Sequence, residues 1–148
     1  MFTDQERDLI SKAKAVLLSK INTNSVFTNP QTVKDFCQLS LAPSEQEVFA
    51  VMYLDNQHRL IKFEKMFFGT VSSCSVHPRE VAKMALFCNA AAVIFTHNHP
   101  SGVENESRSD REITETLKTA LKLFDIRVLD HIVVTNSGCL SFADKGLL

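Results

Sequence analysis

The most constraining stretch is the apolar run Ala90-Ala91-Ala92-Val93-Ile94-Phe95, which passes directly into Thr96-His97-Asn98-His99-Pro100-Ser101-Gly102. A short run without polar residues, bounded by a turn, reads as a buried strand. A second such run, Val48 to Leu54, is apolar nearly throughout and reads as a strand covered on both faces. Strands covered on both faces need helices above and below the sheet. The spacing supplies them, with amphipathic helices at about residues 4–20, 30–41, 78–88 and 108–124. Further strands fit Arg59–Phe68, Arg127–Thr135 and Cys139–Phe142, and Val71–Val76 fits another short one. The expectation is one α/β domain, a mixed β-sheet flanked by helices, with residues 1–25 as an N-terminal helix and linker and 26–148 as the domain proper.

Local chemistry marks the ends of these elements. Thr3 or Asp4 can cap the first helix, along a stripe of Leu9, Ile10, Ala13, Val16, Leu17 and Ile21. Asn29-Pro30 places a cap before a proline in the first helical turn. Val33, Phe36, Cys37 and Leu39 face the core behind it. Pro78 opens the third helix, with Val81, Met84, Ala85 and Cys88 buried and Leu86 and Phe87 widening the stripe. Asn89 is a left-handed stop.

Composition narrows the function classes. Apolar residues make up 45% and charged residues 22% of the 148, and the net charge is −1. A near-neutral chain lacks the clustered basic surface that nucleic-acid backbone binding requires. No run approaches the roughly 20 apolar residues of a membrane span. The N-terminal sequence has no basic segment followed by an apolar one, so the cytoplasm is the expected compartment. Cys37, Cys74, Cys88 and Cys139 lie far apart, and read as buried reduced thiols.

The site residues follow the apolar run. In a strand, residues two apart share a side, so His97 and His99 present two imidazoles together while Asn98 faces away. Asp110, at the start of the next helix, is the natural third ligand. Two histidines, one carboxylate and an open position describe a catalytic zinc site. Non-haem iron uses the same ligand types. Ser107-x-x-Asp110 also fits a helix capping box, a competing use of the same two residues. An acid/base is needed beside the metal, and Glu45 and Glu47, just before the Val48 strand, are the candidates. Spacing does not choose between them. His131, beside Asp130, reads as a satisfied strand histidine, with a role in orienting a ligand as the alternative.

His97-x-His99-Pro100 followed by Ser107-x-x-Asp110, with an upstream Glu-x-Phe strand start, resembles the JAMM motif of the JAB/MPN metalloprotease superfamily. Val76-His77-Pro78-Arg79-Glu80-Val81, Asn89 to Ile94, His97 to Gly102 and Leu129-Asp130-His131-Ile132 resemble the bacterial RadC-like group more closely. The resemblance implies a layered fold similar to that of cytidine deaminases. It implies His97, His99 and Asp110 as zinc ligands, Glu47 as the acid/base and Ser107 as a stabiliser of the tetrahedral oxyanion. The implied activity is hydrolysis of peptide or isopeptide amides in a peptide or protein substrate, in a chain able to form homo-oligomers. A non-catalytic binding module, linked to DNA metabolism, is the alternative. Full-length RadC proteins carry an extra N-terminal region resembling DNA-binding helix-hairpin-helix modules, and here little more than one helix precedes the domain.

Overall fold

The computed structural model describes residues 1–23, 25, 29–70 and 73–148. The elements run α1 (Asp4–Thr23), α2 (Pro30–Leu41), β1 (Val48–Leu54), β2 (Leu60–Phe68), α3 (Pro78–Phe87), β3 (Ala92–Asn98), α4 (Arg108–Lys122), β4 (Arg127–Thr135) and β5 (Gly138–Ser141). The five strands form one mixed sheet in the order β2-β1-β3-β4-β5. β1 is antiparallel to β2 and β3, β3 is parallel to β4, and β4 is antiparallel to β5.

Every residue of β1 and β3 is buried. The alternation of a strand divides them between two cores. Val48, Ala50, Met52, Leu54, Ala92 and Ile94 pack under α1 and α2 with Ile21, Phe36 and Leu41. Phe49, Val51, Tyr53, Val93 and Phe95 pack under α3 and α4 with Val81, Ala85, Leu117 and Leu121. Three layers result, and this is why both strands are apolar without interruption.

Several expectations are corrected. Leu9 and Val16 of α1 are exposed, and Leu18 packs on the core beside Leu17 instead. Leu86 and Phe87 point to solvent, leaving α3 a narrow buried stripe at Val81 and Ala85. Asn29 precedes α2, but its side chain makes no cap bond. Its carbonyl accepts from Val33 N–H, which begins the helical ladder. Ser73–Val76 are not in a strand; Val71, Ser72, Asn24 and 26–28 lie outside the described residues. Asn89 ends α3 with φ of 55°, as its side-chain chemistry allows.

One close approach ties the loop after β2 to the site. At Gly69 a Cβ would lie 1.8 Å from the Ser73 carbonyl oxygen, so only glycine fits. The chain folds back there, bringing Ser73 and Cys74 against the cavity at the end of β3.

Candidate metal centre

β3 runs out of the core at Thr96, and α4 starts across the loop from its end. The register sets Phe49 of β1 opposite His97 of β3. Glu47, Phe49 and Val51 then share the sheet face that carries His97 and Phe95. The Phe49 ring stacks on the His97 imidazole, with centroids 6.2 Å apart and planes 16° from parallel.

The capping box is present, and it aims the carboxylate. Ser107 Oγ accepts from Asp110 N–H at 3.0 Å, and Asp110 Oδ2 accepts from Ser107 N–H at 2.8 Å. The carboxylate so held lies against both histidines. His97 Nε2 is 3.1 Å from Oδ1, and His99 Nε2 is 3.0 Å from Oδ2. Capping and metal binding are therefore compatible uses of Asp110 rather than alternatives. Ser107 Oγ accepts at the cap with a lone pair and keeps its own proton to donate.

Two backbone carbonyls determine the protons on the imidazoles, because a carbonyl only accepts. Val103 C=O lies 3.0 Å from His99 Nδ1, so that nitrogen carries the hydrogen. Asp110 C=O lies 2.6 Å from Thr114 Oγ, so the threonine donates there. Thr114 Oγ must then accept from His131 Nδ1–H, at 2.6 Å. His131 Nε2 is left bare and accepts from His97 Nδ1–H at 2.7 Å. In the neutral tautomers, both His97 Nε2 and His99 Nε2 present lone pairs, and they stand 2.9 Å apart. Two nitrogen lone pairs and a carboxylate thus converge without a donor among them. These atoms all lie within 4.8 Å of one another, and they fit a cation between them. A tetrahedral zinc at 2.0–2.1 Å from each would hold its ligand atoms about 3.3 Å apart, close to the spacing here.

The surroundings reinforce this. Burial works against ionisation of Asp110, but when His97 and His99 are protonated their Nε2–H groups donate to it, and those bonds outweigh burial and hold the carboxyl well below its ordinary range. Asp110 raises His99 above its usual value. His131 is fully buried and beside His97, and both effects keep it neutral. It is the satisfied strand histidine the sequence favours, and its partner is a candidate ligand, as the alternative reading has it.

Glu47 lines the same cavity of about 360 Å³ as His97, His99, Ser107 and Asp110. Burial raises its pKa, with the Asp110 charge adding to the rise and the two histidines opposing it. Glu45 is exposed and does not line the cavity. Asn98, which points to the opposite face, has a positioning role that sequence reasoning missed. Its Oδ1 accepts from Val48 N–H at 2.7 Å, and its Nδ2 donates to the Gln46 carbonyl at 3.1 Å. It thereby fastens both neighbours of Glu47 to β3. Thr114 was also missed, although its spacing of four from Asp110 is a helical one. The signal in both cases is a polar side chain on a face that must be buried.

Comparison with known proteins agrees with the motif. A family model described as the RadC-like JAB domain matches residues 27–147. A UPF0758 protein of Methylibium petroleiphilum is 54% identical over 136 residues, covering 92% of this chain and 61% of that protein. Another, from Leptothrix cholodnii, is 51% identical over 140 residues, covering 95% of this chain and 63% of the relative. The chain thus spans about three fifths of the length of these two curated relatives. A third, from Vibrio cholerae, is 50% identical over 144 residues and is matched over 91% of its length. With the family model covering most of the chain, and the histidine–aspartate group standing where β3 meets α4, the chain belongs to the RadC-like JAB domain family.

Proposed function

We propose that the chain is a zinc-dependent amide hydrolase acting on peptide or isopeptide bonds of a protein substrate. The observation that carries this reading is the convergence of His97 Nε2, His99 Nε2 and the Asp110 carboxylate, all acceptors, beside the half-buried Glu47. His97, His99 and Asp110 would hold the ion. Zinc bound there supplies Lewis acidity, polarising a carbonyl and lowering the pKa of a water to about 7.

The chain's own groups supply the remaining chemistry. Glu47 is not among the three ligands, and its raised pKa suits a group that takes a proton from the attacking water and returns it to the leaving amine. The Ser107 hydroxyl has its proton free, and donates it to the oxyanion that develops on the substrate carbonyl. The Ser107–Asp110 cap keeps that hydroxyl in place without rearrangement. Phe49 closes one side of the cavity, limiting water around the reacting atoms.

The test separates metal binding from chemistry. Glu47→Gln should retain zinc and lose about 10²–10⁴-fold in hydrolysis of a cleaved peptide or isopeptide substrate. His97→Ala should lose the metal as well. A Glu47→Gln protein with full activity on such a substrate would overturn the assignment of the base.

A further inference from the structure

α1 carries a second stripe besides the one that packs on the core. Glu6, Leu9, Ala13, Val16 and Lys20 follow one another at intervals of three, four, three and four residues. That alternation is the spacing of a seam between two helices. The seam points roughly a quarter turn away from Leu17 and Ile21, which pack α1 on the core. Its apolar members are open to solvent, with Leu9 68% and Val16 57% exposed. Singly, exposed apolar residues need no explanation. Lined up on either side of a small alanine, these two form a face that another helix can cover closely.

The charges of α1 select which helix that is. Asp4, Glu6 and Asp8 lie in its first half, opposed there by Arg7 alone, and Lys12, Lys14 and Lys20 lie in its second. Such a helix is complementary to itself when antiparallel and repels itself when parallel. A two-fold axis at Ala13 sets Glu6 beside the partner's Lys20 and Leu9 beside the partner's Val16, with the two alanines at the crossing. Glu6 can serve this contact, because Thr3 N–H occupies only Oε2 of its carboxylate. Lys20 is exposed, and an ammonium has three donors to share among acceptors.

We propose that the chain forms a two-fold symmetric dimer with a second copy of itself through this seam, the two α1 helices running antiparallel. Removing Leu9 and Val16 from water drives the association, and the two Glu6–Lys20 pairs fix its direction. A surface that pairs with itself closes on two copies and does not propagate. One helix from each copy makes a small interface, so the dimer is a reversible one. α1 precedes residues 27–147, which the family model matches. It lies in the layer of α1 and α2, whereas the metal centre lies in that of α3 and α4. Association therefore leaves the metal cavity open, and the proposal stands independently of the hydrolase reading.

Sedimentation equilibrium of the full chain over about 5–500 μM tests this, with circular dichroism verifying the fold of each variant. A reversible monomer–dimer equilibrium is expected, with a Kd of about 1–100 μM. Leu9→Glu should leave a folded monomer throughout. Glu6→Lys and Lys20→Glu should each weaken self-association by about fivefold or more, because every dimer holds two of the pairs. Mixed in equal amounts, those two variants should form a one-to-one dimer about as tightly as the wild type, since each supplies the charge the other lacks. Zinc-loaded and chelated protein should associate alike. A wild type that stays monomeric at the highest concentration would overturn the proposal, as would dimerisation of Leu9→Glu or dissociation on chelation. Single charge variants that associate like the wild type would overturn the antiparallel pairing. A mixture no tighter than its components would overturn the ion pairs.

Discussion

Val103 C=O and the Asp110 main-chain carbonyl decide which imidazole nitrogens face the candidate metal position. Each can only accept, and the consequence passes through Thr114 and His131 to His97. A histidine so oriented offers Nε2 as a ligand in its neutral form, and the partner on Nδ1 raises its basicity. His131→Phe removes the acceptor while keeping a ring of similar size among Phe49, Phe95 and Phe142. Zinc affinity should fall about 10–100-fold, measured by competition with a chromophoric chelator, with the circular dichroism spectrum unchanged. Unaltered affinity would mean that His131 only fills space. His97, His99 and Asp110 are legible in the sequence because two of them share a strand side and the third opens a helix. Which histidine His131 serves is not, because that partner comes from the neighbouring strand, and strand order is not written in local spacing. The same holds for Glu47 over Glu45, since alternation from Phe49 selects Glu47 only once that face is known to hold His97.

At the scale of elements, the loop between β3 and α4 is held at both ends. His99 bonds back to Val103, and Glu106 joins Arg111 of α4 to Lys145 near the C-terminus. Lys145 and Arg111 hold the Glu106 carboxyl down at about 2, against an ordinary value of 4.5. A depressed carboxylate contributes its stability above pH 4.5, and that contribution is lost as the pH falls from there towards 2. The difference in melting temperature between wild type and Glu106→Gln should therefore be present at neutral pH. It should shrink across that window and vanish near its lower end. A difference that persists below pH 2 would show that the clamp is not electrostatic. Elements with buried faces are readable from their apolar pattern: β1 and β3 from unbroken apolar runs, and α4 from the helical spacing of Leu117 and Leu121. Elements at the margin are not. Leu86, Phe87, Leu9 and Val16 continue helical stripes in the sequence, but the sheet covers only the middle of each stripe.

For the whole molecule, the two cores on either side of the sheet are built from apolar side chains, and none of His97, His99 and Asp110 belongs to them. Metal removal should therefore leave a folded chain, and metal addition should stabilise it only through binding. With free zinc at about a hundred times its dissociation constant, the gain is about 2.7 kcal/mol. For a chain of this length that corresponds to a rise of about 5–10 °C in melting temperature. Chelation should reverse it without loss of far-ultraviolet dichroism. Collapse of the dichroism on chelation would indicate a structural metal instead. His99, raised by Asp110, must give up a proton to bind, so the zinc-induced rise should diminish as the pH falls. The proposed role of His97, His99 and Asp110 is to hold a catalytic zinc together. Its most direct test is zinc-edge X-ray absorption, with elemental analysis, on protein purified without chelator. The prediction is about one zinc per chain with nitrogen and oxygen ligands at about 2.0–2.1 Å, lost in His97→Ala and in Asp110→Ala. No metal in the wild type after zinc is offered, or a sulfur-ligated zinc that survives both substitutions, would contradict it.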